Sequence, residues 1–135
     1  MSSNILLDDL QKSGKIKILT NPQEFQEMLN LEKAIVYLYV GWSGQEIASR
    51  KIVYTILNEL ETDGVSVFQI DLDTAMNTFG EWLVEQHKRR PEDIYGGYGE
   101  TILVSKGNVI DFVKYPPQLG PDKMKEKIIE WKTSR

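Results

Sequence analysis

The chain contains no cysteine among its 135 residues and only one histidine. The missing cysteine excludes disulfides, thiolate metal ligands and thiol redox chemistry by this sequence. It also lacks a long apolar run and an N-terminal hydrophobic signal region, so we expect neither membrane insertion nor secretion and predict a cytoplasmic location. An excess of positive charge is absent as well, because the net charge is −4, which argues against nucleic acid and anionic membranes as partners.

The composition is that of a folded globular protein, with 41% hydrophobic and 27% charged residues. The length suits one domain with a single substantial core. We predict an N-terminal extension over residues 1–14, with a short helix at Ile5–Leu10, and then a single domain over residues 15–135.

The stretch from Ala34 to Leu60 is the part around which the rest is organised. Ala34 to Val40 is an apolar, β-branched and aromatic run that is typical of a buried central strand. A sharp turn at Gly41–Gly44 leads into a long helix, and such turns lie at the sheet edge where α/β proteins bind ligands. Apolar residues at helical spacing predict which face of this helix is buried, with Lys51 contributing its aliphatic stem: Ile47, Ala48, Lys51, Ile52, Ile56 and Leu60.

The turn itself resembles the active-site segment of thioredoxins, whose motif reads Trp-Cys-Gly-Pro-Cys. Trp42 and Gly44 match this motif. Ser43 stands in place of the attacking cysteine, Gln45 in place of the proline and Glu46 in place of the resolving cysteine. The resemblance therefore implies the fold of the family without its chemistry.

Two further positions depart from the family's pattern, within a resemblance that covers roughly residues 15 to 133. Tyr37 falls where thioredoxins carry a buried aspartate, and Glu100 falls where they carry a cis-proline ahead of a strand. The resemblance implies an α/β thioredoxin-like fold, with a central mixed sheet flanked by helices on both faces. The connection between the third and fourth strands, residues 73–99, is longer than is usual in the family.

The remaining elements follow from local patterns of capping residues, alternation and turn residues. Parallel neighbours are predicted for the first three strands, because strands and helices alternate there. We predict an edge strand at Lys15–Thr20, followed by a helix that is capped by Asn21, has Pro22 at its first position and carries Phe25, Met28 and Leu29 on one face. After the Ala34–Leu60 unit we predict a strand at Val65–Asp71, a helix at Thr78–Arg89 and a loop at Pro91–Gly99. The chain then forms a hairpin of Thr101–Lys106 and Val109–Tyr115 around Gly107–Asn108, and a last helix from Pro121 that buries Met124, Ile128 and Trp131.

Ser43 and Glu46 have a structural interpretation and a functional one. Ser-x-x-Glu is a capping box, in which Ser43 accepts from the third helical amide and Glu46 reaches back to the amide of Ser43. Alternatively, Ser43 is a nucleophile or an activating hydroxyl, as in glutathione transferases, which have a thioredoxin-like domain. A nucleophilic serine needs a general base, and His87, the only histidine, lies near the end of a predicted surface helix.

We predict neither catalytic residues nor a cofactor nor a metal site. The candidate binding face is the altered turn with the segment ahead of the fourth strand: Trp42, Ser43, Gly44, Gln45, Glu46, Tyr98, Gly99 and Glu100. An aromatic anchor beside polar groups is typical of a recognition patch, so the leading hypothesis is a protein- or peptide-binding module. The alternatives are a non-redox enzyme using Ser43, and a structural or oligomerisation role through apolar surface on an edge strand or on residues 73–99.

Glu100 leads to two further predictions, one for the backbone and one for the charge of the candidate face. A cis bond ahead of a non-proline residue costs about 2.5–4 kcal/mol, so we predict a trans bond between Gly99 and Glu100. The chain then needs a backbone path at Gly99 that glycine adopts readily. We also expect the Glu100 carboxylate to stand near Glu46 and to give this face a preference for basic partners.

Overall fold

A computed structural model of the protein describes residues 16–19, 21–40, 42–60, 64–71, 82 and 97–134. The predicted helix at Ile5–Leu10, the predicted helix at Thr78–Arg89 apart from Trp82, and the predicted loop at Pro91–Gly99 up to Gly96 lie outside the described residues. In chain order the described elements are β1 (Lys17–Leu19), α1 (Pro22–Leu29), β2 (Ala34–Tyr39), α2 (Gly44–Glu59), β3 (Ser66–Asp71), β4 (Thr101–Ser105), β5 (Asn108–Val113), α3 (Pro116–Leu119) and α4 (Pro121–Thr133).

The strands form one mixed sheet in the order β1-β3-β2-β4-β5. β1 and β2 both pair with β3 in parallel, while β4 is antiparallel to β2 and to β5. This order confirms β2 as the central strand and β1 as an edge strand. The crossovers through α1 and α2 explain the parallel half, because parallel neighbours need a long connection.

Each face of the sheet carries its own hydrophobic core, because successive side chains of a strand point to opposite faces. On one face, Val36 and Leu38 of β2 pack with Phe25 and Met28 of α1. On the other face, Ile35 packs with residues of α2 and α4. Helices therefore flank the sheet on both sides, as predicted.

Trp82 is partly buried and packs against the first of these cores. Its ring meets Phe25 edge-on, with centroids 5.3 Å apart and an interplanar angle of 77°. This is a favourable arrangement for two aromatic rings. Trp82 therefore extends the core on this face of the sheet as a partly buried residue.

The cap of α1 is as the sequence predicts. The Asn21 side chain accepts from the Glu24 amide at 2.9 Å, and Pro22 occupies the first helical position. At the other end of the chain, α4 buries Met124, Ile128 and Trp131 as predicted.

Two features of the C-terminal half differ from the prediction. The hairpin forms, but its two-residue turn is Lys106–Gly107 rather than Gly107–Asn108, because Asn108 already pairs with Ser105. Lys106 and Gly107 have φ values of 50° and 79°, which match the left-handed turn that fits the twist of a hairpin. Beyond β5, Pro116 opens the short helix α3, for which the sequence analysis predicts no element.

The buried face of α2 also differs from the predicted one, although Ile56 is buried as predicted. Lys51 is exposed and Ile52 is only half-buried. The residues that α2 buries include three polar ones: Glu46, Ser49, Arg50, Val53, Tyr54, Ile56 and Leu57. Hydrophobic spacing misplaces this face because the polar residues bond to one another and to the backbone inside the fold.

Candidate functional site

Ser43 caps the N-terminus of α2. Its backbone is extended at φ −91° and ψ 128°, and its Oγ accepts from the Glu46 amide at 3.4 Å. Its carbonyl accepts the next helical bond from Ile47 N at 3.1 Å. The N-cap prediction is confirmed, because a free amide of the first turn is satisfied by this side chain.

The reciprocal half of the predicted capping box is wrong. The Ser43 amide donates to the Val40 carbonyl at 3.1 Å, so it is already engaged. Glu46 Oε1 instead accepts from the Val40 amide at 3.3 Å. The carboxylate lies inward because a cation one helical turn away binds its other oxygen.

That cation is Arg50, and the two side chains form a buried ion pair. Glu46 Oε2 lies 3.0 Å from Arg50 Nε and 2.9 Å from Arg50 Nη2. The guanidinium also stacks over the Tyr39 ring, 4.5 Å from its centroid. Burial raises the pKa of Glu46 above its usual range, and the attraction of Arg50 lowers it by less.

Two tyrosines pack against this ion pair. Tyr37 donates to the Glu46 carbonyl at 3.0 Å, and its ring meets Tyr54 edge-on at 5.0 Å. The Tyr54 hydroxyl donates to Gln69 Oε1. Burial, and then the negative charge of Glu46, raise the pKa of both phenols well above the usual range, so both remain protonated donors. An uncharged phenol therefore stands where the resemblance places a buried aspartate.

The segment Gly97–Glu100, which we call the cover segment, lies over the turn. Ser43 Oγ donates to the Gly97 carbonyl at 2.6 Å, and Ser49 Oγ donates to the Tyr98 carbonyl at 2.5 Å. The Leu38 amide donates to the Glu100 carbonyl at 3.0 Å, which ties the segment to β2. The cover segment therefore closes over the position that corresponds to the attacking cysteine of thioredoxins.

The backbone of the cover segment confirms the expectations for Gly99 and the bond that follows it. The Gly99–Glu100 bond is trans, and Gly99 has a φ of +72°. A Cβ atom at Gly99 would lie 2.4 Å from Ser49 Cβ and 2.6 Å from Tyr37 Oη. Only glycine allows this close approach.

The candidate face divides into a buried part and an exposed part. Ser43, at 3% exposure, is buried together with Glu46, Gly99 and Glu100. Trp42 is 68% exposed, Gly44 and Gln45 are exposed, and Tyr98 is half-buried. The accessible surface of the turn is therefore made by Trp42, Gly44, Gln45 and part of Tyr98.

This geometry disfavours a role for Ser43 as a nucleophile. Its proton is already donated to the Gly97 carbonyl, and its side chain is shielded from substrate. Within the described residues, no group of three acidic or histidine side chains is placed to hold a metal ion. The described helices include none that is long and apolar enough to cross a membrane.

Arg50 and Ser49 are the important residues that the sequence analysis missed. One signal was available, because Glu46 and Arg50 have the i,i+4 spacing of a helical ion pair. Ser49 offered no such signal, since its partner, Tyr98, is 49 residues away.

We expect Ser43→Ala to lower the free energy of unfolding by about 1–2 kcal/mol, because the variant loses a helix cap and a buried hydrogen bond. Urea unfolding followed by circular dichroism measures this. Thr55→Ala is the matched control, since the exposed Thr55 hydroxyl bonds only to its own helix at Lys51. Equal stabilities of the two variants would contradict the roles assigned to Ser43.

Comparison with known proteins relates this architecture to a single fold. No protein-family model matches the sequence, and no curated protein matches it. Solved thioredoxin structures do match.

A mutant thioredoxin from Halobacterium salinarum NRC-1 aligns with a TM-score of 0.61 and 16% identity, covering 90% of this chain and 95% of that one. A thioredoxin from Malassezia sympodialis aligns with a TM-score of 0.65 and 14% identity, covering 89% and 93%. Mitochondrial thioredoxin 3 from Saccharomyces cerevisiae aligns with a TM-score of 0.59 and 17% identity, covering 85% and 94%.

The chain therefore has the thioredoxin fold, as the resemblance implied. It lacks cysteine throughout and carries Glu100 where the family has its cis-proline. Thiol–disulfide exchange through its own side chains is excluded, because the nucleophile of that reaction is a thiolate.

Proposed function

We propose that this thioredoxin-fold domain is a protein- or peptide-binding module whose contact surface is centred on Trp42. The observation that carries the proposal is the 68% exposure of the Trp42 side chain. Tryptophan is enriched among the residues that contribute most to interfaces, and an exposed one on a rigid turn offers a large apolar contact area.

The residues around Trp42 support the proposal because they hold the turn in one conformation. Glu46 binds the Val40 amide ahead of the turn, and Ser43 joins the turn to Gly97 behind it. A Cβ at Gly97 would lie 3.5 Å from Trp42 Cη2, so the cover segment also runs beside the indole. A turn fixed before binding loses less conformational entropy when a partner docks.

The chemistry of the partner follows from what remains exposed. Gln45 is exposed three residues after Trp42 and offers a side-chain amide, so we propose a partner segment that combines an apolar side chain with backbone hydrogen-bonding groups. The preference for basic partners stays a prediction, but Glu46 and Glu100 are both buried and neither supplies a surface carboxylate for it. The cytoplasmic location also stays a prediction.

The enzyme hypothesis has less support. A serine nucleophile must be reached by substrate, and Ser43 is buried beneath the cover segment. A hydroxyl that stabilises a bound thiolate must likewise donate to the ligand, whereas this one donates to Gly97.

We expect Trp42→Ala to weaken binding of a partner by about 30-fold or more, the loss typical of a central interface tryptophan. The partner is isolated by cross-linking and affinity capture from the native cells, identified, and then titrated with purified protein by calorimetry. Ile129→Ala is the matched control, because it removes an exposed apolar side chain (39% exposed) from α4.

Both variants should unfold at the same urea concentration as the native protein to within a small shift. A partner that binds native protein, Trp42→Ala and Ile129→Ala with equal affinity would refute the proposed surface. A partner lost by Ile129→Ala and kept by Trp42→Ala would move the binding surface to α4.

A further inference from the structure

The strand β5 lies at an edge of the sheet and carries exposed apolar side chains. It pairs with β4, and it is the last strand in the sheet order. Ile110 is 57% exposed and Phe112 is 37% exposed. An edge strand with apolar side chains is a ready template for pairing with another chain.

The register of the hairpin shows which backbone groups face this edge. Ser105 and Asn108 close the two-residue turn and form a hydrogen-bonded pair. The ladder shifts between Leu103 and Val104, and beyond this bulge Phe112 faces Ile102 in the alternate, non-hydrogen-bonded position. The amide and carbonyl of Phe112 therefore point away from β4.

The Phe112 amide is engaged by the side chain of its own neighbour. Asp111 Oδ1 accepts from it at 2.8 Å. Asp111 Oδ2 also forms an ion pair with Lys127 Nζ of α4 at 2.7 Å. A single side chain thus engages an outward donor of β5 and anchors the strand to a helix.

Pairing of β5 with a second copy of itself would need this same amide. In a two-fold antiparallel pair centred on Phe112, the two Phe112 residues exchange both of the central N–H···O bonds. Their rings would then face each other across the pair, which is a favourable cross-strand contact. Asp111 competes for both amides at once, since each copy carries one.

We propose that Asp111 prevents β5 from forming an antiparallel pair with β5 of a second copy of this chain. The Asp111 carboxylate satisfies the Phe112 amide within its own chain, and β5 becomes a self-association surface once that carboxylate is removed. This role is independent of the binding surface at Trp42.

The test compares self-association by sedimentation velocity over a range of protein concentrations. Asp111→Ala should associate at least about tenfold more tightly than the native protein, because a hydrogen bond to a charged group is lost within each copy. Asp111→Asn should behave like the native protein, since its amide oxygen still accepts from Phe112. Lys127→Met should do the same, because it removes the ion pair and keeps the acceptor. Asp111→Val, whose side chain favours strands and offers no acceptor, should repeat the result of Asp111→Ala.

A second variant tests Phe112 as the central residue of the pair. Phe112→Pro in the Asp111→Ala background removes both the outward N–H and the phenyl ring, and an edge strand tolerates proline there, so association should return to the native level. Circular dichroism establishes that each variant is folded. The proposal is overturned if neither Asp111→Ala nor Asp111→Val associates more than the native protein, if Lys127→Met associates as tightly as Asp111→Ala, or if the proline variant still associates.

Discussion

Gly99→Ala should destabilise the protein by about 2–5 kcal/mol, which is a large fraction of the stability of an ordinary domain. Gly99 has a φ of +72°, and the left-handed region costs a residue with a side chain roughly 1–2 kcal/mol. The new methyl group would also lie 2.4 Å from Ser49 Cβ and 2.6 Å from Tyr37 Oη, so the cover segment would have to move off α2. Overpacking of a well-packed site costs a further 1–3 kcal/mol or so.

The chain offers matched glycine controls for separating these contributions. Gly64 has a φ of +78° with open space around it, so Gly64→Ala should show only the backbone cost. Gly44 has open space and begins α2, so Gly44→Ala should be neutral or slightly stabilising. Urea unfolding of the three variants measures the differences. A loss at Gly99 no larger than that at Gly64 would contradict the close packing of the cover segment.

Arg50→Met should destabilise the protein at neutral pH by about 3–5 kcal/mol, because it leaves the Glu46 carboxylate buried without its cation. Both side chains are buried, and the guanidinium makes two contacts with Glu46 Oε2 at 3.0 and 2.9 Å. Adding Glu46→Gln should recover much of this loss, since the double variant buries no charge. Losses that simply add in urea unfolding would show that the two residues are not coupled.

The same variant should depend on pH in a defined direction. Burial already raises the folded pKa of Glu46 above its ordinary value of 4.5, and removing Arg50 raises that pKa further. For a raised pKa, the stabilising contribution is complete below the unfolded value and is lost as the pH rises through the folded value. The deficit of Arg50→Met relative to native protein should therefore be smallest at acidic pH and should grow once the pH rises past the folded pKa of Glu46 in the native protein, which lies above 4.5. A deficit that shrinks over this range would contradict the assignment.

The parts of the fold that the sequence predicts are those with strong local patterns. β2 is identified by an uninterrupted apolar run, and α1 by Asn21 and Pro22 at its start. The cap of α2 is local too, since Ser43 Oγ and the Glu46 amide are three residues apart. These features follow from neighbouring residues, so one sequence is enough to find them.

The parts that the sequence does not predict depend on contacts between distant residues. Ser43 and Ser49 bond to Gly97 and Tyr98, which lie about 50 residues along the chain. The burial of Glu46 and Arg50 depends on that cover and on Tyr39 of β2. Hydrophobic periodicity assigns such polar residues to solvent, so it misplaced the buried face of α2 and left too much of the candidate site at the surface.

The tryptophans of this chain occupy different surroundings, and this gives the protein an intrinsic spectroscopic reporter. Trp131 of α4 is buried in the core, Trp82 is packed against Phe25, and Trp42 is largely exposed. Iodide ions in solution quench the emission of an exposed indole far more than that of a buried one. The quenchable part of the fluorescence therefore comes mainly from Trp42, at the centre of the proposed binding surface. A partner that covers this turn lowers the fraction of the fluorescence that iodide quenches, so its binding can be followed on the unlabelled protein.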